Sequence, residues 1–178
     1  MNESSYELRS GETHIEVHKF YPGAILVVSV LALVFQAMAP VYVPRLEILE
    51  VPLLVTIYFG LSRRNPSTGL LLGMIIGLAQ DALSGPTVPL GVYGIAKTII
   101  GFLASSIGAR LDTEHPAARF ALIFGFFVLH QAILVLIRRL LLAQPESWFN
   151  AQLAVAAAVN ALSGTVLYLA FDRLRRSS

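Results

Sequence analysis

Residues 1 to 19 are polar and acidic, with Glu3, Glu7, Glu12 and Glu16 against Arg9 and Lys19. From Phe20 onward the pattern changes: apolar runs of about 20 residues follow one another along the chain, each long enough as a helix to cross a hydrocarbon core of about 30 Å. The first, "FYPGAILVVSVLALVFQAMAP", predicts a span over about residues 20 to 39. Ala37-Met38-Ala39 imitates a signal-peptidase site, but the run exceeds a signal h-region, lacks a basic n-region and is followed by Pro40. The second segment is interrupted by Glu47 and Glu50, and its strictly apolar part, Val51 to Leu61, covers only about 17 Å as helix. It predicts a short or tilted span that starts at Pro52, with Leu46 to Glu50 at the interface. Further spans are expected over about residues 67 to 84, 89 to 108, 118 to 142 and 150 to 171.

Six crossings put both termini on one side, and the basic residues say which. With the termini inside, the inner segments hold Arg9, Lys19, Arg63, Arg64, Arg110, Arg119, Arg173, Arg175 and Arg176, and the outer ones only Arg45, Arg138 and Arg139. Nine against three follows the positive-inside rule, and Trp148 then falls at the outer interface. The fold class is therefore an all-α polytopic membrane protein: a single six-span domain, residues 20–172, between cytoplasmic tails at 1–19 and 173–178. Composition agrees. Hydrophobic residues make up 56% and charged residues 13%, half the charge of an average soluble domain, and mean hydropathy is +0.69. The net charge of +2 is spread in clusters between spans, which records topology and not nucleic-acid binding. Zero cysteines exclude disulfides, thiol catalysis and Cys-based metal sites.

Several polar or glycine constellations interrupt the apolar pattern. Gly69, Gly73 and Gly77 lie on one face of the third span and open a groove for close backbone approach, either within the chain or to a partner's helix. Gln80 and Asp81 close that span. They read either as a polar site facing the bundle or a partner, or as a tether, with the Asp81 carboxylate accepting N–H bonds from the loop "LSGPTVPLG". Lys97 lies about 12 Å into the fourth span by helical rise and needs a counter-charge. Asp81, across the hairpin, is the nearest candidate for an intramembrane ion pair. His130, Gln131, Asn160 and Ser163 suit hydrogen bonds between helices. Asp112, Glu114 and His115 could bind a metal but read more simply as a solvated turn before Pro116. No P-loop, His-Glu-x-x-His, Gly-x-Ser-x-Gly or Asp-x-x-Asp pattern is present, so neither an enzyme nor a cofactor is expected.

The run from Val51 to Leu103 resembles the rod shape-determining protein MreD family. The matching features are the Pro52-Leu53-Leu54 start, the aromatic pair Tyr58 and Phe59 before a basic turn, Gly69 with Gly73, the Asp81-Ala-Leu-Ser-Gly element, and Leu90-Gly91. Lys97 and the acidic tail fall outside the resemblance, and "VNALSG" in the last span is a looser echo. The resemblance implies a non-enzymatic inner-membrane component of the bacterial elongation machinery that links MreB filaments to peptidoglycan synthesis. Its direct partner would be MreC, within a larger complex holding the SEDS glycosyltransferase and the elongation penicillin-binding transpeptidase, among membrane lipids. It also implies a likeness in fold to the S components of vitamin uptake transporters. The alternative function is therefore a membrane-embedded solute- or lipid-binding subunit.

Overall fold

The structure, a computed structural model, describes residues 22–85, 88–110, 115–145 and 151–173. Six helices follow one another: α1 (Pro22–Tyr42), α2 (Val51–Arg63), α3 (Pro66–Leu83), α4 (Val92–Gly108), α5 (Pro116–Leu141) and α6 (Ala151–Arg173), with a 3-10 turn, Pro44–Ile48, between the first two. The chain is an all-α polytopic membrane protein. Helices α1, α3, α5 and α6 are long and apolar enough to cross a membrane, and α4 is a shorter apolar helix.

Punctuation residues set the boundaries. Pro66 and Pro116 occupy first turns, where a missing N–H costs no bond. Asn65 caps α3 by accepting from Ser67 N and Thr68 N. His115 caps α5 through Nδ1, which accepts from Ala117 N; Asp112 and Glu114, its expected neighbours, lie outside the described residues, as does Trp148. Helix α1 runs past Pro40 to Tyr42, beyond the expected end. A proline so near a helix terminus removes one bond in a turn where the last carbonyls are unpaired anyway.

Helix α2 is the centre of the fold. Ten of its 13 residues, Pro52 to Leu61, are buried, and it touches all five other helices. Around it α3 and α4 form a hairpin so close that glycine is required along the seam. A Cβ on Gly73 would lie 2.0 Å from the Lys97 carbonyl oxygen, one on Gly77 2.4 Å from that of Tyr93, and one on Gly69 2.3 Å from that of Gly101. Helix α4 answers with Gly101, where a Cβ would sit 2.1 Å from the Gly69 oxygen, and with Gly108, packed against the backbone of Leu61. The groove read from residues 69, 73 and 77 is thus filled by α4. At the C-terminal end of α2, Tyr58 packs against the rings of Tyr168 and Phe171, with centroids at 4.5 and 4.9 Å. Arg119 lies 4.9 Å above the Tyr168 ring.

Candidate polar site at the N-terminus of helix α2

Helix α2 begins inside the bundle, so its first backbone N–H groups cannot reach open water and must find partners in the protein. Pro52 removes one donor outright. Val51 N donates to Gln36 Oε1 of α1 at 3.1 Å. The preceding Glu50 N donates to Asn160 Oδ1 of α6 at 2.9 Å. The Asn160 amide nitrogen then donates to Ile48 O at 2.7 Å and to Ala156 O at 2.9 Å. One fully buried asparagine therefore stitches the irregular backbone ahead of α2 to the last helix.

The Glu50 side chain gathers the remaining polar groups. Its Oε2 accepts from Lys97 Nζ of α4 at 3.3 Å, an ion pair with the lysine fully buried, and from Gln80 Nε2 of α3 at 3.4 Å. Lys97 Nζ also lies 3.5 Å from His130 Nε2 of α5 and 4.7 Å from the centroid of the Tyr93 ring. With a protonated lysine as donor, His130 Nε2 is the acceptor, which puts the proton of a neutral ring on Nδ1. All six helices contribute a side chain or a helix end to this cluster.

This arrangement corrects the expected Asp81–Lys97 ion pair. The Lys97 partner is Glu50, 47 residues away in sequence, and not the hairpin neighbour. Glu50 is accordingly buried and not an interface residue. Asp81 is occupied elsewhere: Oδ2 accepts from Gly91 N and Gly94 N, and Oδ1 from Tyr93 N, all at 2.9 Å. Helix α4 needs this because its own N-cap is Gly91, with φ of 105° and no side chain to offer. A carboxylate from the end of α3 thus caps α4 and complements its dipole. Gln131 is half-buried beside His130 but outside the cluster.

Sequence reasoning missed Glu50 because it stands 30 residues from Gln80 and 110 from Asn160. The available signal was an acid directly before an apolar helix start, in a chain whose one intramembrane lysine required an acid. It also missed Gly94, Gly101 and Gly108, whose spacing of seven puts them on one face of α4.

The residues that carried the sequence resemblance lie on α2, α3 and the loop that leads into α4, and they contribute to the central packing and the Asp81 cap. No curated protein and no solved structure matches the chain. A family model described as rod shape-determining protein MreD matches residues 18–177, nearly the whole chain, and the chain belongs to that family.

Proposed function

We propose that the chain is a non-enzymatic scaffold of the bacterial elongation complex, seated in the cytoplasmic membrane with both termini inside. In this role it binds MreC and couples MreB filaments to peptidoglycan synthesis by the SEDS glycosyltransferase and the penicillin-binding transpeptidase. Family membership gives the coarser part, a role in rod shape determination. The excess of Lys and Arg on the inner segments supports the orientation, which turns the Glu50 end of the bundle outward.

The observation that carries the scaffold role is the division of labour among the helices. The buried polar groups bond to one another across the bundle and fix α2, α3 and α4 as a unit. Helix α1 by contrast has only 11% of its 18-residue apolar window buried, against 28 to 39% for the other three long spans. Val27, Leu31, Val34, Met38 and Val41 are all exposed along it, at the alternating spacing of four and three that seats a neighbouring helix. A fixed body with one helix largely uncovered suits a protein that holds a single-span partner.

Co-expression with MreC from the same genome, followed by purification in mild detergent, tests this. A complex that survives size exclusion is expected, with Leu31→Trp plus Val34→Trp weakening it more than Leu162→Trp plus Val166→Trp on the exposed face of α6. Well-folded protein that never co-purifies with MreC would overturn the proposal. Leucine at Gly73 is unsuitable for the purpose, because α4 occupies that groove.

A further inference from the structure

A cavity of about 380 Å³ opens where the 3-10 turn meets α1, α3 and α4, and its polar lining is Gln36, Glu47, Glu50, Gln80, Ser84 and Tyr93. Both charged residues in that lining are acids. Lys97 offsets the Glu50 charge, and among the described residues no ion pair engages Glu47. Glu47 is exposed. Gln80 is only 5% exposed; its Nε2 is held by Glu50, while its Oε1 has no hydrogen-bond partner among the described residues. Ser84 spends its proton on Gln80 O at 2.8 Å, which leaves lone pairs. The wall therefore carries more acceptors than donors and an uncompensated negative charge, in a concave space of ligand-site size.

We propose that this cavity is a binding site for a primary ammonium or guanidinium group, with Glu47 supplying the charge and the Glu50, Ser84 and Gln80 oxygens further acceptors. The site is independent of the scaffold role: it holds whether or not the chain meets MreC. A basic side chain of a neighbouring protein and a free polyamine share this chemistry and differ in being tethered or diffusible.

The absence of cysteine allows a direct test on the full chain in nanodiscs of neutral phosphatidylcholine. Ser84→Cys and Ala37→Cys each place one thiol in the cavity wall, and Leu90→Cys, 73% exposed in the native residue, serves as reference. Rates are compared for a trimethylammonium and a sulfonate methanethiosulfonate reagent of equal size. A cleft lined by one sign of charge concentrates the opposite ion by about tenfold or more, so the cation-to-anion rate ratio at both cavity sites should exceed the reference ratio by about that factor. Glu47→Gln should lower it several-fold without changing the melting temperature. N-acetyl-arginine amide should protect the cavity thiol, and the neutral isostere N-acetyl-citrulline amide should not. In washed native membranes, protection that persists marks a tethered side chain; protection that appears only with added spermidine marks the free amine. Equal rate ratios at cavity and reference sites, or equal protection by arginine and citrulline amides, would overturn the proposal.

Discussion

Replacing Lys97 by methionine, which keeps the length of the side chain and removes the charge, decides which acid Lys97 is built against. Lys97 is fully buried and its Nζ lies 3.3 Å from Glu50 Oε2. Deleting one member of a buried pair strands the other, a loss of about 3–5 kcal/mol. In Lys97→Met, Glu50 keeps only Gln80 Nε2 as a side-chain donor; in Glu50→Gln, Lys97 keeps the His130 nitrogen and the Tyr93 ring face. Removing both charges together relieves the stranded ion in each single variant, so Glu50→Gln with Lys97→Met should be far less damaging than the sum. The expected coupling is about 2–3 kcal/mol, the upper range for residues in direct contact.

Asp81 provides the contrast. Asp81→Asn should itself cost about 2–3 kcal/mol, because a carboxylate accepting three backbone N–H bonds at 2.9 Å is replaced by an amide with one oxygen and a misdirected NH2 group. Combined with Lys97→Met, however, the two losses should couple by no more than about 1 kcal/mol, well below the Glu50 pair, because the two side chains meet only through Tyr93, whose N–H Asp81 accepts and whose ring faces Lys97. The assay is unfolding by SDS in dodecylmaltoside micelles, followed by fluorescence of the single tryptophan, Trp148. Strong Asp81–Lys97 coupling with additive Glu50–Lys97 losses would refute the pairing.

Four further outcomes follow from the packing and the hydrogen bonds. Gly73→Ala drives a Cβ to 2.0 Å from the Lys97 oxygen and should destabilise the purified protein by about 1–3 kcal/mol in the same assay. Gly125→Ala meets nothing within 4 Å and should be neutral or stabilising by up to about 1 kcal/mol. Gly91→Ala also meets open space, but at φ of 105° the new side chain should cost about 1–2 kcal/mol and lower the melting temperature. Asn160→Ala leaves Glu50 N and Ile48 O unpaired, about 1–3 kcal/mol for each buried group, and hydrogen exchange at the Glu50 amide should accelerate while that of Ile100 in α4 does not.

The helices were legible because a membrane demands long apolar runs, and proline and asparagine mark where α3 and α5 start. The pairing of polar groups was not. Asp81 and Lys97 sit on neighbouring helices of one hairpin, so proximity in sequence favoured them; what decides the pairing is that α4 begins with Gly91 and has no cap of its own, which commits Asp81 to the backbone. Glu50 was hidden by a different cause. An acid beside a short apolar run looks like a residue at the water interface, and only the enclosure of α2 by five helices shows it to be interior. The glycines at 69, 73 and 77 announced close approach without naming the helix that approaches, because the glycines of α4 that meet α3, at 94 and 101, are spaced by seven and not by four.

The short length of α2 explains why the polar site exists. Thirteen residues span about 20 Å, about 10 Å less than the hydrocarbon thickness, and the shortfall lies at its N-terminal end, where the chain passes through a 3-10 turn, the extended Leu49 and the non-helical Glu50. Non-helical backbone at that depth is tolerated only when buried in protein or lining a cavity, and both conditions are met: Gln36 and Asn160 satisfy the backbone groups of Ile48, Glu50 and Val51, and the cavity reaches Glu50 from the side of α1. Most of the cluster is thus what an interrupted helix requires of its surroundings. The polar capacity beyond that requirement, the Glu47 carboxylate and the unused oxygen of Gln80, sits in the cavity wall, which is where a ligand group would have to bind.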